Sequence, residues 1–91
     1  MAEISVVKKD ENTFEVTVQA NRTTTHQVSL SEAYYQKLTG GKGTKEGLIQ
    51  ASFEFLLERE SNSAILSQFD LPVIGRYFPE YERSIRGRLG V

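Results

Sequence analysis

The residues most suggestive of chemistry lie in Thr39–Glu46, TGGKGTKE. Backbone N–H groups at a helix start, with lysines beside them, are a ready-made cradle for phosphate. The candidate anion loop is therefore Gly41, Lys42, Gly43, Thr44 and Lys45. A Walker A loop follows a strand and needs glycine, four residues, then Gly-Lys-Ser/Thr. Here Lys42 is followed by Gly43 and no strand precedes the loop. A glycine C-cap running straight into a threonine N-cap accounts for every residue of the stretch. The connector is the preferred explanation, and an anion site stays open as the alternative.

The other reactive side chains are sparse. His26 is the only histidine and cysteine is absent, so thiol catalysis, disulfides and thiolate metal sites are excluded. One histidine in a strand is neither a metal centre nor a catalytic pair, and His26 is expected to be a partly exposed strand residue. Glu54, Glu58 and Glu60 sit at helical spacing and read as a solvated strip. No catalytic, cofactor or metal site is expected. Near the C-terminus, Arg76, Tyr77, Tyr81 and Arg83 form a candidate interaction surface, with Phe69 and Phe78 beside them. Tyrosine and arginine are enriched at protein interfaces. The competing explanation makes the aromatics a lid over the central helix.

Composition narrows the classes. The 91 residues fit one domain, 1–91, with a modest core. Hydrophobic residues at 38% and charged residues at 25% are those of a folded chain. A net charge of -1 argues against whole-domain attraction to nucleic acid or anionic membrane. After Pro72, Arg76, Arg83, Arg86 and Arg88 outnumber Glu80 and Glu82, a mildly basic end. No apolar run reaches the roughly 18 residues of a membrane helix, and the N-terminus lacks the apolar core of a signal peptide. A cytoplasmic protein without membrane contact is expected.

The elements that must carry these residues follow from periodicity. Residues 3–9 and 13–20 alternate as strands around the turn Asp10-Glu11-Asn12, and Thr23–Ser29 is a third, threonine-rich strand. Ser29 and Glu32 have capping-box spacing for a first helix, which Thr39-Gly40-Gly41 ends. Thr44–Glu60 is the central helix. Its apolar positions Leu48, Ile49, Ala51, Phe53, Phe55, Leu56 and Leu57, with Ser52, sweep an arc of roughly 240° against the usual 100° or so. Such an arc needs cover on two sides: the sheet on one flank, the C-terminal segment on the other. Ser63 can cap a helical turn or two, and Asp70 a short piece before Pro79. A last helix carries Tyr81, Ile85 and Leu89 on one face, with Glu82 and Arg86 as a four-apart pair. The expected fold is α+β: an N-terminal three-stranded antiparallel sheet (β-β-β), then three to five helices, with the 44–60 helix central.

Two resemblances add to this. Residues 25–61, THQVSLSEAYYQKLTGGKGTKEGLIQASFEFLLERES, resemble a ribbon-helix-helix DNA-binding unit. That likeness implies a dimer whose paired strands enter the major groove, with Thr25, Gln27 and Ser29 as the outward residues. The C-terminal pattern LLERE…ILSQFDLPVIGRYFPEYE is similar to that of a family of small uncharacterised bacterial proteins, and it implies no activity.

The sequence thus points away from an enzyme and towards a non-catalytic protein-interaction or regulatory module. Its partner is open between another protein and a second copy of the chain. The alternatives are a ribbon-helix-helix-like regulator or antitoxin on nucleic acid, possible but not favoured, and phosphate or nucleotide binding at Gly40–Lys45.

Overall fold

A computed structural model describes residues 2–91. The chain runs β1 (Glu3–Lys8), β2 (Thr13–Gln19), β3 (Thr23–Ser29), α1 (Glu32–Thr39), α2 (Lys45–Leu57), a 3-10 turn (Asn62–Ala64), β4 (Gln68–Asp70), α3 (Val73–Tyr77) and α4 (Tyr81–Leu89). The fold is α+β, as the periodicities predict. β1, β2 and β3 form an antiparallel meander, with Val6 opposite Val16 and Val16 opposite His26. Period-two alternation sends Phe14, Val16, Val18 and Val28 to the helical side, where all four are fully buried. Thr17, Thr25 and Gln27 go to the open side, which no helix covers.

The sheet is not purely antiparallel. It has a fourth strand, β4, parallel to β3 at the end of the order β1-β2-β3-β4. The expected helical turns after Ser63 reduce to the single 3-10 turn, and residues 65–67 bend irregularly into β4. The cause lies in where this segment's polar groups find partners. The Asn62 amide donates to the Arg22 carbonyl and to the Thr24 hydroxyl, both at 2.9 Å. The Leu66 carbonyl accepts from His26 Nδ1 at 2.8 Å. The Ser67 carbonyl accepts from the Gln27 N–H at 2.8 Å. Partners on the sheet replace the i−4 bonds of a helix. Parallel pairing needs a long crossover, and α1 with α2 supplies it.

Two caps also differ from expectation. The N-cap of α1 is Ser31, whose hydroxyl accepts from the Tyr34 N–H at 3.1 Å. Ser29 belongs to β3, and its hydroxyl donates to the Asp70 carboxylate. Asp70 therefore holds the β3–β4 pair together rather than capping a helix, and α3 begins at Val73, after Pro72 as an N-cap with no side-chain bond. The Thr44 cap on α2 is as the sequence predicts, accepting from the Gly47 N–H at 2.9 Å. Gly40, at φ +68°, closes α1 in the left-handed region that glycine takes without strain.

α2 lies between the sheet and α4. Leu48, Ile49, Ala51, Ser52, Phe53, Phe55 and Leu56 are all buried, and Leu57 is half-buried. Phe53 meets His26 and Phe69 on the sheet side, at ring separations of 5.4 and 6.0 Å. Phe55 meets Tyr81 and Phe78 on the other side, edge-on at 5.4 and 5.8 Å. Buried apolar residues of sheet and helices belong to one cluster. Leu56→Ala should cost about 2–5 kcal/mol, the usual penalty for truncating a buried leucine. Glu54→Ala, on the exposed strip, should stay within about 0.5 kcal/mol. Denaturant melts of the two variants check this, and similar losses would mean that the helix faces the other way.

Candidate docking groove

The loop before α2 is built mainly from internal bonds. The Gly41 N–H donates to the Thr39 hydroxyl at 3.0 Å, and the Gly43 carbonyl accepts from the Tyr35 hydroxyl. Lys45 is paired with Glu32 at 2.9 Å and lies over the Tyr35 ring. The Gln36 amide, then Lys45, holds the Glu32 carboxyl below its usual range. Gly41, Lys42, Gly43 and Thr44 are exposed, but they serve as a cap-to-cap connector.

The four aromatic and basic residues expected to share a surface divide. Arg76, Tyr77 and Arg83 are exposed. Tyr81 is fully buried, with its hydroxyl 2.6 Å from the Ser52 hydroxyl in the interior. Burial pushes the Tyr81 hydroxyl well above the ordinary tyrosine value, only partly offset by the Ser52 bond. Tyr81 is thus a core residue, and it lids the central helix. Burial also raises Tyr34, helped by the Glu82 carboxylate that accepts its hydroxyl at 2.8 Å. Glu82 is therefore engaged with α1 and not with Arg86. Arg86 donates instead to the Lys37 and Leu38 carbonyls, capping the C-terminus of α1 from α4.

His26 is 2% exposed, not partly exposed as expected. A carbonyl can only accept, so Nδ1 carries the proton towards Leu66 O, and Nε2 takes the Thr24 hydroxyl at 2.8 Å. This relay fixes the segment between the 3-10 turn and β4. Parity would have found it: His26 shares its face with Val28, and Val28 reads as core from the sequence.

The acidic strip on α2 also has separate fates. Glu54 is exposed. Glu58 is paired with Arg88 and Arg59, and the Arg88 bond holds its carboxyl below the usual range. Arg59 stacks on Phe55 at 3.6 Å and reaches Glu80 at 3.2 Å, tying the end of α2 to α4. Glu60 is half-buried and lines a groove instead.

That groove is the feature the sequence did not disclose. It measures about 230 Å³ and is walled by Leu56, Ile65, Leu66, Phe69, Ile74 and Tyr77. Leu66 is 47% and Tyr77 67% exposed, among the largest apolar surfaces left open. Glu60 is its one charged lining residue. Its walls come from α2, the 65–66 segment, β4 and α3, whose contiguity no local pattern encodes. A second hollow lies on the open side of the sheet, lined mainly by Thr13, Gln27, Ser29, Gln68 and Asp70.

Among the described residues no cluster of three metal-ligating side chains occurs, and no helix is long and apolar enough to cross a membrane. Compared with protein-family models, curated proteins and solved structures, the chain finds no match.

His26→Leu removes the side-chain donor to the Leu66 carbonyl and the acceptor of the Thr24 hydroxyl, which keeps its bond from Asn62, and should cost about 1–3 kcal/mol. Denaturant melts check this, and a loss near zero would mean that the relay carries no weight. Tyr81 gives a pH signature. Its folded-state pKa is raised, so above pH ~10 the unfolded chain releases this proton while the folded chain keeps it. Stability then falls with rising pH, by up to about 1.4 kcal/mol per unit for this group. Tyr81→Phe should flatten that decline in melts run from neutral to alkaline pH. An unchanged slope would assign it to other groups.

Proposed function

We propose that the chain is a non-catalytic protein-interaction module that engages its partner through the groove beside β4. The observation that carries this is the pair Leu66 and Tyr77, left open over an apolar groove that the chain's own aromatics do not fill. Exposed apolar surface bordered by polar groups is typical of docking sites. Tyrosine is among the residues that supply binding energy at interface centres. Arg76, next to Tyr77 in sequence, is exposed outside the groove lining.

The two alternatives draw less support. A ribbon-helix-helix dimer pairs the strand before its first helix with that of a second chain. Here β3 is flanked by β2 along its length and by β4 over Gln27–Ser29. Anion binding at Gly41–Lys45 would have to recruit Lys45 away from Glu32.

The test compares immobilised wild-type chain with a Leu66→Asp, Tyr77→Asp double variant in lysate of the native source. Both positions are exposed, so the variant should fold with an unchanged melting curve. Proteins retained by the wild type and lost from the variant are the expected result. Identical retention by both, or no retention by a monomeric wild type, would overturn the proposal.

A further inference from the structure

Resting on the groove as a docking surface, we propose that its occupant is an extended basic-apolar peptide segment that adds to β4 as a fifth strand. The main chain of β4 is half used. The Gln27 N–H donates to Ser67 O at 2.8 Å, and the Leu71 N–H to Ser29 O at 2.9 Å. These bonds bracket the parallel pair, so residues 67, 69 and 71 turn their main-chain groups towards β3. With the two-residue period of a strand, Gln68 and Asp70 turn theirs outward. Among the described residues, no main-chain bond outside the regular elements involves Gln68 or Asp70, and β4 has only β3 as a neighbour in the sheet. An extended peptide can pair with these groups, gaining affinity from its main chain and selectivity from alternate side chains.

The side-chain chemistry follows from what flanks β4. On the helical side lies the apolar groove, with Phe69 in its wall and Glu60 as its one charged lining residue. On the open side lies the polar hollow, where Asp70 is the one charged lining residue. Glu60 takes part in none of the ion pairs among the described residues. Among the described residues, the Asp70 carboxylate accepts only from the Ser29 hydroxyl. Side chains of an added strand would alternate between these two concavities. The groove selects apolar residues, and both acids favour lysine or arginine. A segment with apolar residues at every second position and basic residues between them matches both sides.

The experiment titrates isotope-labelled full chain with a short blocked peptide alternating lysine and valine, followed by amide NMR. Two control peptides replace the central valine by proline, or every lysine by glutamate. The lysine–valine peptide should shift the amides of Leu66–Tyr77, slow exchange at Gln68 and Asp70, and bind at least about tenfold tighter than either control. Gln68→Pro removes an outward donor and should weaken binding about tenfold. Glu60→Lys, at the groove rim, should do so without touching the strand. Equal binding of the proline peptide at the groove would overturn strand addition while leaving the interaction module standing. Equal binding of the glutamate peptide would overturn the charge selection. No shift at Leu66–Tyr77 from any peptide would overturn the inference alone, since the lysate comparison tests the groove independently. Concentration-dependent self-association abolished by Glu60→Lys would assign the groove to a second copy and overturn the peptide partner.

Discussion

The structure depends on one requirement: the helix Lys45–Leu57 is apolar around most of its circumference. A helix with a single stripe can sit on a sheet with its back to water. This one must be covered on both flanks. The sheet takes Phe53. The other flank has to be covered by α4, which brings Tyr81 and Ile85, both fully buried. The remaining contacts of α4 secure that placement. Arg86 caps α1, Glu82 accepts from Tyr34, and Arg88 pairs with Glu58. Several modest polar contacts, none strong by itself, thus hold an apolar lid.

Covering α2 from both sides forces the chain to return from the helical layer to the sheet and out again. Residues 62–71 make that return, and Ile65, Phe69 and Leu71 anchor it in the core. The segment is also held by directional bonds to the inner face and edge of β3: Asn62 to the β2–β3 turn and Thr24, His26 to Leu66, Ser29 to Asp70. Buried polar groups are costly unless paired. No buried side-chain polar atom among the described residues lacks a partner. Satisfied in this way, the network adds direction to the apolar anchoring of Ile65, Phe69 and Leu71 and fixes one path for the segment.

Much of the fold was legible because its signals are local. The alternation of Phe14, Val16 and Val18, the Thr44 cap and the arc of α2 each encode structure within a few residues. The demand for two covers on α2 follows from that arc without any knowledge of contacts. What was not legible depended on distant partners. β4 is three residues long and carries one apolar side chain, too little for a strand signal. Ser29 and Asp70 have the composition of caps, but each finds the other across 41 positions of sequence. Tyr81 shares the apolar face of the last helix with Ile85 in the sequence pattern, but its edge-on packing on Phe55 and its bond with the Ser52 hydroxyl depend on a distant turn of α2. The groove is a property of four elements together and has no sequence signature, whereas His26 could have been placed from strand parity.

The shortness of β4 bears on what the sheet edge can do. A long, flat, apolar edge pairs with any extended chain, which folded proteins avoid by shortening edges and charging them. β4 meets both conditions, with three residues and a carboxylate at its end. The few outward main-chain groups of Gln68 and Asp70 can contribute only a few hydrogen bonds, each modest in net terms. Main-chain pairing alone is therefore too weak to hold a segment there. Selection would have to come from the flanking concavities, through Leu66 and Tyr77 on one side and Asp70 on the other. The features that protect this edge from indiscriminate pairing are the same ones that would make recognition at it depend on side-chain sequence.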